Sequence, residues 1–149
     1  MRKTTAAALL AASVAAHPAA AQTSDPAGEV CRLAGAIAQG TDATVAQLLQ
    51  MAAVWPDEDR AKLEPIFRPQ LSRFDMAPGD VFEIAEFGRY AREYLIASAD
   101  RKGAGNVYFR ILYEAAPNGL YFKNAKFNSD YYVIIDPPFP QTPEKIICR

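Results

Sequence analysis

The chain changes character at Pro78-Gly79, and this change limits the folds that it can adopt. Before this point apolar residues recur at helical spacing, whereas 12 of the 15 Phe and Tyr residues, including all seven tyrosines, lie between Val81 and Tyr132. Aromatic and β-branched residues favour a pleated, half-buried surface. The order predicts an α+β fold, in which N-terminal helices pack on one face of a curled antiparallel β-meander.

Three helices are predicted in the first half. Apolar residues return every three or four positions in residues 29–39 and again in residues 42–54. Pro56 is followed by three acidic residues, which favours a third helix start, because Pro fits the first turn and acidic groups suit the positive end of the helix dipole. We expect Pro65 and Pro69 to break this helix into short pieces.

The second half contains the predicted strands. In residues 106–115 apolar and polar positions alternate, so Val107 and Phe109 should face one side of a sheet while Tyr108 and Arg110 face the other. The strands are predicted over residues 81–87, 92–99, 106–115, 120–128 and 131–135.

Residues 1–21 have the features of a secretory signal peptide. Arg2 and Lys3 precede a short stretch rich in Ala and Leu, and Ala19-Ala20-Ala21 supplies small residues at a cleavage position. We therefore expect an exported protein, either periplasmic in a bacterium or secreted.

The mature part is predicted to be a single domain over residues 22–149, with a mobile lead-in at residues 22–28 and a Pro-rich tail at residues 136–149. Its two cysteines, Cys31 and Cys148, lie near opposite ends of this domain. In an oxidising compartment such a pair is expected to form one disulfide. Closing so long a loop would stabilise the domain by roughly 4–5 kcal/mol.

Removal of the leader would also remove His17, which is the only histidine of the chain. Histidine is the usual general base near neutral pH and the commonest metal ligand. Ser-His-Asp and Cys-His catalysis and imidazole-ligated metal sites are therefore excluded for the mature protein. With both cysteines oxidised, we expect no metal and no cofactor, and the remaining chemistry is that of carboxylates, Tyr, Lys and Ser.

Charge and hydropathy argue against two further classes of partner. The leader holds two of the 16 basic residues and none of the 17 acidic ones, so residues 22–149 carry 14 basic and 17 acidic side chains and a net charge of −3. Electrostatic binding to nucleic acid needs a basic surface, so we expect no nucleic-acid partner. No run of about 18 uncharged apolar residues follows the leader, so no membrane span is predicted.

Two segments carry a resemblance to a known family. The first helix ends in a Gly-Thr break, Ala34-Gly35-Ala36-Ile37-Ala38-Gln39-Gly40-Thr41, and a strand ends in Asn124-Ala125-Lys126-Phe127-Asn128-Ser129-Asp130. With the order of elements, they resemble small exported members of the nuclear-transport-factor-like, cone-shaped α+β superfamily. The resemblance implies a curled sheet that encloses a pocket, in a superfamily that contains enzymes, binding modules and interaction proteins. Members often have another long strand and a Trp before that ending, where this chain has only residues 118–122, which implies a shallow cone.

We expect a non-catalytic module that binds a small apolar or amphipathic ligand or a periplasmic partner protein. Tyrosines on a sheet can pack their rings and offer a polar tip to a ligand. The candidate ligand-binding residues are Tyr94, Tyr108, Arg110 and Tyr113.

Two alternatives stay open. An acid/base enzyme of the isomerase or hydratase type would pair a carboxylate with a tyrosine in one cleft, and its candidate carboxylates are Asp100, Glu114 and Asp130. An inhibitor or interaction protein would use the Pro-rich segment 137–140, or an edge strand over residues 133–135 that recruits a partner by strand addition.

Overall fold

The computed structural model describes residues 22–149, and the signal peptide predicted for residues 1–21 lies outside them. Three helices precede a sheet, and a short fourth helix precedes its last strand. The helices are α1 (Pro26–Gln39), α2 (Thr41–Met51), α3 (Asp57–Leu71) and α4 (Tyr131–Ile134), with a 3-10 turn at Ala52–Val54. The strands are β1 (Asp80–Glu86), β2 (Ala91–Asp100), β3 (Gly105–Ala116), β4 (Gly119–Asn128) and β5 (Glu144–Ile146).

The predicted α+β fold is confirmed. Four strands form an antiparallel meander and β5 returns beside β1, so the strand order is β4-β3-β2-β1-β5. The helices α1, α2 and α3 cover one face of this sheet, which we call the inner face. Leu33 of α1 and Ile111 of β3 are fully buried in the core between these two layers. The opposite, outer face carries a smaller apolar cluster of Ile84, Leu95 and Ile134.

Helix α1 is set in place by its two ends. The Asp25 carboxylate accepts a hydrogen bond from the Gly28 N–H at 2.9 Å and so caps the first turn. After Gln39 the chain turns sharply into α2 at Gly40, whose φ of +107° is a conformation that favours glycine. The turn lays α1 and α2 side by side over the sheet.

Helix α3 runs without a break through Pro65 and Pro69, so the predicted break is wrong. Each proline removes one N–H donor from the helix interior. However, Leu63, Phe67 and Leu71 lie four residues apart and are buried against the core, and this apolar stripe holds the helix together. Both prolines lie on the exposed side, where water can reach the carbonyl groups that lose their partners.

The strand predicted over residues 131–135 is also wrong, because this segment forms helix α4. The Asp130 carboxylate caps the helix by accepting a hydrogen bond from the Tyr132 N–H at 2.9 Å. Ile134 is buried on the outer face. A short apolar run does not distinguish a strand from a buried helical turn. The edge strand that we considered over residues 133–135 is therefore not formed.

The first and last described segments both lie on the sheet. Cys31 and Cys148 form the predicted disulfide, with their Cα atoms 5.4 Å apart, so the tail returns to α1 after pairing with β1. Thr23, in the predicted lead-in over residues 22–28, exchanges two backbone hydrogen bonds with Leu120, at 2.7 and 3.1 Å. The lead-in is thus held at the free edge of β4.

Candidate functional site

The four residues predicted to bind a ligand lie on two faces of the sheet. Tyr94 and Tyr113 belong to the core on the inner face. Tyr108 and Arg110 contact the cluster on the outer face. The predicted alternation of β3 is confirmed and produces this separation, because neighbours along a strand point to opposite sides. The structure therefore forms two pairs rather than one site of four residues.

Arg110 attaches α4 and the tail to the outer face. Its side chain is 5% exposed, and its Nε and Nη2 donate to the two carboxylate oxygens of Glu93 at 2.6 and 2.9 Å. Its Nη1 donates to the carbonyl oxygens of Ile134 and Pro137 at 3.0 and 2.6 Å, and the guanidinium lies 5.3 Å from the ring centre of Phe139. Since protein groups occupy these donors, the geometry of Arg110 is that of a structural attachment.

Tyr108 belongs to an aromatic surface around α4. Its ring lies 5.3 Å from the ring of Tyr131, and its hydroxyl accepts a hydrogen bond from Asn106 Nδ2 at 3.3 Å. Tyr131 and Tyr132 are both exposed. The outer pair thus lies beside an exposed surface rather than inside a pocket.

On the inner face, Tyr94 and Tyr113 meet edge to face with ring centres 6.0 Å apart. The Tyr113 hydroxyl donates a hydrogen bond to Glu29 Oε2 at 2.9 Å. Burial and the nearby Glu29 carboxylate raise the pKa of Tyr113 above its ordinary value. The phenol therefore stays protonated at neutral pH and acts as a hydrogen-bond donor.

The Tyr94 hydroxyl is fully buried and has no hydrogen-bond partner within residues 22–149. Glu83 lies opposite Tyr94 in the β1–β2 register, and Arg92 lies two positions along the same face of β2. Burial raises the pKa of Tyr94, the Glu83 carboxylate raises it further, and Arg92 opposes the change. A buried polar group without a partner is unusual in folded proteins, so its presence here requires a structural or functional explanation.

The three carboxylates considered for acid/base chemistry have structural partners. Asp130 caps α4. Asp100 accepts two backbone N–H groups at 2.7 and 2.9 Å, and these hydrogen bonds hold its pKa below the usual range. Glu114, on the interior strand β3, accepts a hydrogen bond from the Tyr121 hydroxyl at 3.2 Å and lies 3.4 Å from Lys123, but its side chain is 41% exposed. None of the three forms a buried pair with a tyrosine in the described part of the chain.

Sequence reasoning overlooked Glu29, which forms a partly buried carboxylate–phenol pair with Tyr113. An acidic residue in the first turn of a helix is ordinarily explained by the helix dipole, and no spacing rule links two positions that lie 84 residues apart. The surface has a groove between α3 and β4 and a pocket at the N-terminal end of α1, and neither Glu29 nor Tyr113 lines them. The pair is therefore part of the packing between α1 and the sheet.

A groove of about 600 Å³ lies between α3 and β4, and we call it the α3–β4 groove. Trp55 forms one wall: its ring stacks on Phe122 at 5.1 Å, and its Nε1 donates to the Phe122 carbonyl oxygen at 2.6 Å. Ile66 lines the groove from a position outside the buried stripe of α3. Ile66 is an apolar residue out of phase with the buried stripe, and it is the sequence signal that could have indicated this groove. The other lining side chains include Leu63 and Phe67 on the walls, and Lys62 and Lys123, which are exposed.

A second pocket, of about 500 Å³, lies at the N-terminal end of α1, and we call it the α1 pocket. The segment before α1, the β1–β2 turn and the β3–β4 turn surround it. Tyr94 forms part of its wall, and its other ionisable lining side chains are Asp25, Arg89 and Arg92.

Residues 22–149 hold neither a metal cluster nor a membrane span. In this range no three His, Cys, Asp or Glu side chains lie together so as to hold a metal ion, and no described helix is both long and apolar enough to cross a membrane. The chain was compared with protein-family models, curated proteins and solved structures, and none of them matches it. The α+β architecture is compatible with the cone-shaped superfamily that the sequence resembles.

Proposed function

We propose that this protein is an exported, non-catalytic module that binds a small amphipathic ligand in the α3–β4 groove. The observation that carries the proposal is the composition of this groove, whose lining is mostly apolar and includes two exposed lysines, Lys62 and Lys123, and one carboxylate, Asp59. Ligand pockets typically measure about 300–1,000 Å³ and combine a mostly apolar lining with a few polar groups. The groove, at about 600 Å³, lies within this range.

Ile66 contributes exposed apolar surface to the groove. Helix α3 already packs on the core through Leu63 and Phe67. Ile66 is nevertheless 53% exposed and lines the groove together with Trp55. A ligand with an apolar body would remove this surface from water, and each square ångström of apolar area buried contributes about 25 cal/mol.

Lys62 and Lys123 would face the polar end of such a ligand. Lys62 Nζ lies 2.7 Å from Asp59, and Lys123 Nζ lies 3.4 Å from Glu114. These are exposed pairs, which contribute little to stability and exchange partners easily. Both lysines are therefore free to turn toward an anionic or polar head group at the opening.

Two further observations support export and the choice of site. The Cys31–Cys148 disulfide suits an oxidising compartment, as does the leader predicted over residues 1–21. The resemblance to the cone-shaped superfamily implies a pocket enclosed by a curled sheet. The α3–β4 groove is bordered by strand β4 of the sheet and by helix α3.

Trp55 provides the test, because it is the only tryptophan of the chain and lines the groove. We would titrate the mature protein with decanoate and with 1-decanol, an anionic and a neutral molecule with the same chain. We expect a saturable change in Trp55 emission with both, and tighter binding of decanoate if the lysines contribute.

Each of the two matched variants replaces one exposed isoleucine by glutamate. Ile66→Glu should abolish the response, whereas Ile147→Glu, at an 82% exposed position of the tail outside the groove, should bind as the wild type does. The proposal fails if neither decyl compound changes the emission, or if Ile66→Glu binds unchanged.

A further inference from the structure

We infer that the Cys31–Cys148 disulfide is a redox switch: a dithiol reductant opens it in the folded protein, and the tail strand β5 then leaves β1. The disulfide lines a pocket of about 660 Å³ between α1 and the tail, which we call the disulfide pocket. This pocket shares no lining residue with the α3–β4 groove. The inference therefore does not depend on the ligand proposed for that groove.

The disulfide lies where a thiol can reach it from solvent. Cys148 is exposed, its neighbour Ile147 is 82% exposed, and both residues line the disulfide pocket. Cys31, in contrast, is partly buried against the core. Exchange depends on which sulfur the attacking thiolate can reach, so Cys148 Sγ is the atom attacked. Exposed disulfides are also the ones that exchange readily.

Reduction takes two exchange steps. One thiolate of the reductant attacks Cys148 Sγ, so that a mixed disulfide forms while the bond to Cys31 breaks and Cys31 leaves as a thiolate. The second thiolate of the reductant then attacks its own sulfur in the mixed disulfide. Cys148 leaves as a thiolate, and the reductant becomes a cyclic disulfide. Two electrons pass to the protein, and the two cysteines take up the two protons that the reductant thiols lost.

Strand β5 has few attachments to β1 besides this covalent link. It contains three residues, of which Glu144 and Lys145 are exposed. Lys145 Nζ lies 2.8 Å from Asp80, but both side chains are 58% exposed, and such a pair contributes little to stability. Ile146 packs on the core and is only partly buried. These contacts must offset the conformational entropy of residues 140–149, so the docking of β5 depends on the disulfide.

Release of the tail stops at its attachment to Arg110. The Arg110 Nη1 donates to the Pro137 carbonyl oxygen at 2.6 Å, and the guanidinium lies 5.3 Å from the ring centre of Phe139. Residues 140–143, in contrast, are all exposed. Strand β1 keeps its place without β5, because it also pairs with β2. Reduction therefore frees residues 140–149, while the helices and β1 to β4 stay folded.

The disulfide and the docking of β5 stabilise each other. The link holds β5 at β1, and docked β5 holds the two cysteines together. A change that weakens docking must therefore favour reduction, provided that reduction releases the strand. Release leaves the backbone of residues 81–83 unpaired at the edge of the sheet. The redox state thus controls whether this edge is covered.

Two neighbouring isoleucines provide the test, because Ile146 packs on the core whereas Ile147 is exposed. We would equilibrate the mature protein with mixtures of reduced and oxidised dithiothreitol and measure the ratio of the two at which half of the protein is reduced. Ile146→Ala should lower this ratio about fivefold to tenfold, because it weakens the docked, oxidised form and leaves the released form unaffected. Ile147→Ala is the matched control and should leave the ratio unchanged.

Amide hydrogen exchange locates the released segment. In the reduced protein, protection should be lost in residues 81–83 and 144–148 and kept in β2, β3 and β4. Cys31→Ser/Cys148→Ser should show the same pattern without reductant. Protection of the three strands also reports whether each variant folds.

Four results would overturn the inference. Reduction that occurs only after urea has unfolded the domain would show that the folded protein keeps its disulfide closed. An equal ratio for Ile146→Ala and the wild type, or protection of residues 144–148 in the reduced protein, would show that β5 stays docked. Loss of protection throughout β2, β3 and β4 would show that the disulfide holds the whole domain rather than the tail.

Discussion

Tyr94 and Tyr113 are two buried tyrosines in contact, and they differ in the partner of the hydroxyl. Tyr113 donates to Glu29, whereas Tyr94 has no partner in the described chain. Tyr113→Phe should therefore lower the free energy of unfolding by about 1–2 kcal/mol, because the Glu29 carboxylate loses its donor. Tyr94→Phe should leave it unchanged or raise it slightly, since no hydrogen bond is lost.

Urea unfolding at neutral pH measures this difference. Tyr108→Phe is the control, because its hydroxyl makes only a 3.3 Å contact with Asn106 near the surface. If Tyr94→Phe proves as destabilising as Tyr113→Phe, the assignment of partners to the two hydroxyls is wrong.

The raised pKa values of the same two tyrosines allow a prediction of how stability changes at alkaline pH. Both have a raised pKa in the folded protein, mainly because burial disfavours the phenolate. Above about pH 10 an unfolded tyrosine loses its proton while the folded one keeps it, so the unfolded state binds fewer protons. Stability should then fall as the pH rises through this range. The double variant Tyr94→Phe/Tyr113→Phe should show a shallower fall in unfolding free energy between about pH 9 and 11. Equal slopes for the variant and the wild type would show that these two phenols do not cause the loss of stability.

At the scale of elements, α1, α2 and the meander follow from periodicity and turn residues, and the structure confirms them. Two elements do not follow from local pattern. The continuity of α3 depends on tertiary burial of a stripe that outweighs Pro65 and Pro69. The helical form of α4 depends on a cap at Asp130 and on the burial of Ile134 by the outer face. The Asp130 cap is local to its segment, but the surfaces that bury the α3 stripe and Ile134 come from distant parts of the chain.

Arg110 determines whether α4 and the tail stay on the sheet. Arg110→Met keeps much of the side-chain volume but leaves Glu93, whose side chain is 17% exposed, without its partner, and removes the donor to the Ile134 and Pro137 carbonyls. We expect a loss of unfolding free energy of about 3 kcal/mol, because breaking one side of a buried ion pair is costly. Hydrogen exchange should accelerate first in residues 131–139.

The matched control for Arg110 is Arg101→Met. Arg101 lies 2.9 Å from Asp75 in a pair whose two side chains are about half exposed. Such pairs contribute about 0–1 kcal/mol. Equal losses for the two variants, or uniform acceleration of exchange over the sheet, would argue against a local attachment by Arg110.

For the whole molecule, the Cys31–Cys148 disulfide spans a sequence separation of 117 residues and links α1 to the tail. Cys31→Ser/Cys148→Ser should lower the free energy of unfolding by roughly 4–5 kcal/mol, because the unfolded chain regains the freedom of a long open loop. Urea unfolding of the variant, and of the wild type with and without reductant, measures this. The reduced wild type should match the variant. A loss below about 1 kcal/mol would show that the disulfide does not substantially restrict the conformational freedom of the unfolded chain.

The sequence by itself determined the α+β class, the alternation of β3 and the disulfide pairing. The first two follow from local periodicity, and a chain with two cysteines offers a single intramolecular pairing. Only the tertiary structure decided which side chains share a site. Tyr94 and Arg110 were candidates for one site, and strand geometry placed them on opposite faces. Contacts such as Glu29 with Tyr113 and Trp55 with Phe122 join positions 84 and 67 residues apart. Such distant contacts are set by strand register and by how the helices pack on the sheet, and no local pattern along the chain encodes them.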